Sequence, residues 1–237
     1  MSWGQNRRRL RALGAAALLV TGSPALADIL VVRSAGPSAA SFAPGKRLPE
    51  TARISLKPGD QLTLLDGRGT RVLRGPGTFT AGAAAAGGAA SSGPASARRT
   101  RIGAVRGTGP GELRPPSIWH VDVSKSSNVC VADASKVTLW RSDAAKLLSL
   151  TIGGPGVRSK TLSWQPGSST LAWPADLPVA DGAQYRLSSS GGPAPTALRF
   201  RLIPATPAGL EALAQTLIRN RCEAQLDLFV ETVKLPG

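Results

Sequence analysis

Residues 81–97 read AGAAAAGGAASSGPASA, a run with no charged residue and no large side chain. Such a stretch buries too little apolar surface to offset the entropy of ordering it, so no packed core is expected to pass through it. Gly82, Gly87 and Gly88 bracket Ala83 to Ala86 too closely for an Ala-rich helix. Basic and Gly/Pro-rich sequence continues to Pro116, and residues 81–116 are read as a basic linker. Folded material is therefore expected on either side, in residues 28–80 and 117–237.

The first 27 residues have the layout of an export signal. Arg7, Arg8, Arg9 and Arg11 form a positive region, Ala12 to Val20 an apolar run, and Ala25-Leu26-Ala27 a small-residue cleavage site. The apolar run falls short of the roughly 20 residues that span a bilayer, so no integral membrane segment is expected in the mature chain. Cleavage near Ala27 would release a periplasmic or secreted protein beginning at Asp28. The Arg8-Arg9 pair leaves twin-arginine export open beside the general route. In an oxidising compartment the two cysteines, Cys130 and Cys222, are expected to pair; two separate buried thiols are the alternative.

Between Asp28 and Thr80, β-branched runs alternate with turn residues: Ile29 to Val32, Ala52 to Leu56, Gln61 to Asp66, Arg71 to Arg74 and Thr78 to Thr80. Lys57-Pro58-Gly59-Asp60, Gly67-Arg68-Gly69 and Gly75-Pro76-Gly77 separate them. The segment ARISLKPGDQLTLLDGRGTRVLRGPGTFTAG, residues 52–82, resembles the strand–turn–strand core of FecR-like periplasmic domains. That resemblance implies a small β-domain working in signal transduction across an envelope. Such regulators usually add a transmembrane helix and a cytoplasmic anti-sigma segment; neither is read here, and their signalling role is not expected to carry over directly.

From Ser117 onward, strand-like runs recur at short spacing, at Trp119 to Val123, Asn128 to Ala132, Lys136 to Arg141, Leu147 to Ile152, Ser159 to Trp164, Ser169 to Trp173, Ala183 to Leu187 and Ala197 to Ile203. Turn sequences such as Gly153-Gly154-Pro155-Gly156 and Asp181-Gly182 separate them, and together they predict an antiparallel β-sandwich. Residues 170–187 resemble, in pattern, a strand pair of an immunoglobulin or fibronectin type III-like module. Thr206 and Pro207 predict a helix start, with Leu210, Leu213, Ala214, Leu217 and Ile218 on one face. Ala224, Leu226, Leu228 and Val230 then alternate with Gln225, Asp227, Phe229 and Glu231, which predicts a last strand. The expected fold is mainly β: a small FecR-like domain, a linker, and a sandwich with one C-terminal helix and a closing strand.

Chemistry is narrowly bounded. One His and two Cys cannot supply a usual four-ligand zinc site, a c-type haem motif or an iron–sulfur site, and no cofactor or metal is expected. No nucleophile elbow, phosphate loop or zinc-protease motif is present. His120 and Asp122 share a strand face without a specified nucleophile, so the chain is read as non-enzymatic.

Binding is the remaining class. Residues 28–114 hold 13 basic and 5 acidic residues, and 115–237 hold 12 and 9, so the positive excess is mostly N-terminal. Arg68, Arg71, Arg74, Arg98, Arg99, Arg101 and Arg106 are the candidate surface for an anionic partner, either an envelope protein or an anionic envelope polymer. Arg outnumbers Lys 22 to 7, so a GC-rich coding bias accounts for the same excess without a partner. Nucleic acid is not expected, because no recognition-helix or stacking motif accompanies the charge. The expected role is a protein-interaction or sensory adaptor in the cell envelope. Trp119, Trp140, Trp164 and Trp173 support an alternative, a glycan- or cell-wall-binding module that stacks sugars on indole rings; core packing is the competing role for all four.

Overall fold

The computed structural model describes Met1 and residues 28–83, 113–190 and 194–235. The expected leader and Arg98, Arg99, Arg101 and Arg106 lie outside the described residues. Within them the chain is mainly β, with antiparallel sheets and two helices toward the C-terminus.

Six strands build the N-terminal unit: β1 (Asp28–Ala35), β2 (Arg47–Pro49), β3 (Arg53–Leu56), β4 (Gln61–Asp66), β5 (Gly69–Arg74) and β6 (Gly77–Thr80). They pair antiparallel as a four-stranded sheet in the order β2-β1-β4-β5 and a separate β3-β6 hairpin. Ile29, Val31, Ile54, Leu62 and Leu64 fill the space between them. Asp60 fixes the turn before β4, where its carboxylate accepts from the backbone N–H of Lys57 at 2.5 Å and of Ser38 at 2.8 Å. Ala81, expected in the linker, is wholly buried, and its N–H donates to Ala52.

The remaining strands are β7 (His120–Asp122), β8 (Ser127–Val131), β9 (Thr138–Trp140), β10 (Leu148–Gly154), β11 (Val157–Trp164), β12 (Thr170–Ala172), β13 (Gln184–Ser189) and β14 (Thr196–Leu202). A five-stranded sheet, β11-β10-β13-β14-β8, faces a three-stranded one, β12-β9-β7. Alternation sends Leu150, Ile152, Tyr185, Leu187, Leu198 and Phe200 inward to meet Val121 and Leu139. Trp173, Tyr185 and Phe200 meet edge to face, with ring centroids 4.9 to 5.9 Å apart. Two contacts depart from the expected antiparallel pairing: β14 with β8, and β7 with β9, run parallel.

Helix α1 (Leu210–Arg219) buries Ala214 and Leu217 on the face read from the sequence. It begins three residues later than Pro207, after Gly209. Its end is a Schellman motif, with Cys222 N–H donating to Leu217 C=O and Arg221 N–H to Ile218 C=O. The expected final strand is instead a second helix, α2 (Glu223–Thr232). Gln225, Leu226, Phe229 and Val230 are its buried residues, at the i, i+1, i+4, i+5 spacing of one helical face. The strand-like alternation arose because the buried Gln225 reads as a solvent position and Leu228 as a core one.

The helices sit between the two β units and give each a second core. Leu30, Val32 and Leu65 of the N-terminal sheet pack with Ala214, Leu217, Leu226, Phe229 and Val230 of the helices, and with Cys130 of β8. Strand β1 therefore buries both faces. Cys130 and Cys222 are disulfide-bonded, with Cα atoms 5.9 Å apart and a sequence separation of 92. Chain-entropy reasoning gives such a loop at most about 4–5 kcal/mol. The C-terminal segment also reaches the N-terminal sheet, where Thr70 accepts from Leu235 N–H and donates its own N–H to Val233.

Candidate functional site

The described members of the expected basic surface do not act together. Arg68 and Arg74 are exposed, but Arg71 is buried, its side chain 6% exposed, and paired with Asp66. Arg71 lies opposite Leu64 in the β4–β5 register, on the face of the sheet that meets the N-terminal core. It serves the fold and is withdrawn from the candidate surface. Burial pushes the Asp66 carboxyl up, but the Arg68 and Gly69 backbone N–H groups and the Arg71 guanidinium outweigh it and hold Asp66 below the usual carboxylate range.

The tryptophans are also placed in packing. Trp140, Trp164 and Trp173 are each under a tenth exposed, and Trp119 is half-buried against the helical core. Arg141, itself buried, covers the Trp164 ring with its guanidinium 5.0 Å from the ring centroid and donates to the carbonyls of Lys146, Gln165 and Ser168. Trp173 Nε1 donates to Leu177 C=O. Faces packed in this way are not available to a sugar, which removes the physical basis of the stacking platform at Trp140, Trp164 and Trp173.

His120 and Asp122 engage different neighbours. The His120 Nδ1 lies 2.9 Å from the Ser117 hydroxyl, and Asp122 accepts from the N–H and hydroxyl of Ser124. Ser117 Oγ also accepts from Trp119 N–H. These contacts link residues two or three apart in the chain and shape the turns at either end of β7.

The arginines that do converge lie in the second unit, on the outer face of the five-stranded sheet. In the β13–β14 register Arg186 stands opposite Ala197 and Arg199 opposite Gln184, so the two arginines are diagonal neighbours on one face. Both are exposed and neither forms an ion pair among the described residues. They line a groove of about 880 Å³ that crosses the strand ends and is walled by the α1–α2 turn and the start of α2. Small residues, Gly153, Gly154 and Ala197, keep its floor low. Gly154 must be small, since a Cβ there would lie 2.6 Å from the Gln184 carbonyl.

Arg221 joins the groove from the helical side. It holds a left-handed backbone, φ 56°, at the Schellman position where glycine is usual. Glu223 and Asp227 are the carboxylates of the helix wall, and Asp227 is already engaged by Arg33. Lys125 lies at the far rim and pairs with Asp122 at 3.7 Å. Sequence reading missed this site because its arginines come from three separated segments whose local charge is unremarkable. Only the strand register places them together.

No helix among the described residues is long and apolar enough to cross a membrane. The chain matches no family model, no curated protein and no solved structure.

Proposed function

We propose that the chain is an exported, non-enzymatic interaction module of the cell envelope, acting as a protein-binding or sensory adaptor. The observation that carries this reading is the outer face of the five-stranded sheet. Its Ser, Gln and Arg side chains are presented to solvent, while its inner face is fixed by the sandwich core and its β8 end by a disulfide and a helix. A rigid sheet carrying an open polar face suits recognition, because little backbone entropy remains to be lost on binding. The leader layout supports export, and the hairpin grammar of residues 52–82 supports a FecR-like origin for the N-terminal unit.

The test is affinity capture from an envelope extract at modest salt with the mature protein, starting at Asp28, as bait. A specific protein partner that survives competition with untagged bait is expected. A bait that recovers nothing above a denatured control removes the adaptor reading. Export is tested separately: the N-terminus of the extracytoplasmic protein should be Asp28, and a cytoplasmic full-length chain would overturn it.

A further inference from the structure

We infer that the groove on the outer face of the five-stranded sheet binds an acidic peptide segment in extended conformation, with Arg186 and Arg199 each taking one carboxylate. This deepens the interaction-module reading and rests on it. The argument begins with spacing. Diagonal neighbours on adjacent antiparallel strands lie about 7–8 Å apart, and Arg186 and Arg199 are such a pair. Side chains on one side of an extended peptide recur every second residue, about 7 Å apart. Two acidic residues in an acid–x–acid sequence therefore match two arginines whose strand positions are set at that spacing, each guanidinium able to take a carboxylate through two parallel N–H donors.

Charge points the same way. Of the basic groups lining the groove, Arg186, Arg199 and Arg221 have no ion-pair partner among the described residues, and they face one uncommitted carboxylate, Glu223. Beside Arg199, Gln184 lies in register on β13 with its amide unpartnered among the described residues, while Asn128, in register on β8, donates to the Asn220 carbonyl at 3.2 Å and keeps its side-chain oxygen free. A primary amide both donates and accepts, as the N–H and C=O groups of a peptide backbone require. The low floor at Gly153, Gly154 and Ala197 leaves room for that backbone. A neutral or acidic sugar chain fits less well, because the one aromatic side chain at the groove, Tyr185, turns its ring into the sandwich core and donates its hydroxyl to Pro178.

The experiment measures binding of a fluorescent peptide of alternating Glu and Thr to the mature protein by anisotropy at low and at physiological salt. Three comparisons accompany it: the doubly substituted Arg186→Glu/Arg199→Glu protein, a charge-matched Arg68→Glu/Arg74→Glu protein, and polygalacturonate as a glycan carrying the same charged group. Saturable peptide binding is expected, weakened at least about tenfold in Arg186→Glu/Arg199→Glu and by less than about twofold in Arg68→Glu/Arg74→Glu. Equal loss in both variants would reduce the effect to net charge and overturn the inference. So would peptide binding that ignores Arg186 and Arg199, or preferential binding of polygalacturonate, or no binding to either probe. Circular dichroism on each variant guards against misfolding. An envelope partner captured equally by wild type and Arg186→Glu/Arg199→Glu would remove the groove assignment and leave the module reading standing; no partner for wild type would remove that reading itself.

Discussion

Gln225 holds both backbone polar groups of Cys130: its Oε1 accepts from the Cys130 N–H at 2.6 Å and its Nε2 donates to the Cys130 carbonyl at 3.0 Å. Strand β8 is an edge of the five-stranded sheet, and an edge strand has backbone groups that no neighbouring strand can satisfy. The Gln225 amide stands in for that missing strand, and it donates also to Ile118 C=O at 2.9 Å. Gln225→Leu keeps the volume and orphans two buried backbone groups, both of Cys130, and the half-buried Ile118 carbonyl. Urea titration should show a loss of about 2–4 kcal/mol; a change under 1 kcal/mol would mean that water replaces the amide.

Gly69 makes the contact between the C-terminal segment and β5. Its φ is 146°, and a Cβ would sit 2.3 Å from the Val233 carbonyl. Gly69→Ala should therefore displace residues 233–235 and cost about 2 kcal/mol or more. Gly67, two residues away, has open space around its Cβ position, so Gly67→Ala should be close to neutral. Hydrogen exchange at Thr70 and Leu235, faster only in Gly69→Ala, distinguishes a local effect from a global one.

Arg221 occupies a left-handed position that costs a side chain about 1–2 kcal/mol and costs glycine little. Arg221→Gly should raise unfolding stability by about 0.5–1 kcal/mol, after allowing for the greater freedom of glycine in the unfolded chain. The same substitution should weaken binding of the Glu–Thr peptide. Greater stability with unchanged binding would remove Arg221 from the groove's function.

Asp60, Asp66 and Asp133 are among the aspartates held below the ordinary carboxylate range, and the first two belong to the packed N-terminal unit. Burial pushes Asp60 up, but the hydroxyl and N–H of Ser38 and the N–H of Lys57 outweigh it and leave Asp60 below the usual carboxylate range. Asp66 is lowered as described, and Asp133 is held at about 2 by the Ser135 hydroxyl, Lys136 and the Ser135 N–H. Because the folded values are depressed, the stabilisation is fully present above the unfolded value and is lost as pH falls through the folded ones. Thermal midpoints should be flat above about pH 5 and fall between about pH 4 and 2. Asp60→Asn should flatten part of that decline, and an unchanged acid profile would contradict the role given to Asp60.

A protease site inserted between residues 84 and 112 and then cut should leave two fragments that co-elute. No disulfide joins them, since Cys130 and Cys222 both lie on the C-terminal side. Leu30, Val32 and Leu65 nonetheless share a core with both helices. Leu217→Ala in that core should loosen the nicked complex before it unfolds the intact chain. Separation of the wild-type fragments in native buffer would show the shared core to be too weak to hold them.

Strand positions were legible because each depends on a short local pattern bounded by Gly, Pro or Asp, as at Lys57-Pro58-Gly59-Asp60. What failed was whatever depends on a distant neighbour. Arg71 looks like any surface arginine until Asp66 and the core beneath Leu64 are placed around it. Gln225 looks solvent-facing until Cys130 of β8 supplies two backbone groups for its amide and Ile118 a third. The groove was invisible for the same reason: Arg186 and Arg199 become neighbours only when β13 and β14 pair. The cysteine pairing was legible because the described residues hold two cysteines and an oxidising compartment was expected for them.

Strand β1 contributes Leu30 and Val32 to a core completed by Leu217, Leu226 and Phe229. Its second apolar face therefore has no partner until almost the whole chain has been synthesised. A long wait between first and last contact slows folding and leaves the nascent N-terminal sheet in need of protection. Folding order thus runs against synthesis order: β1, the first of the strands, is sealed by α2, the last of the helices, so the N-terminal sheet is completed only when the C-terminal segment has been made.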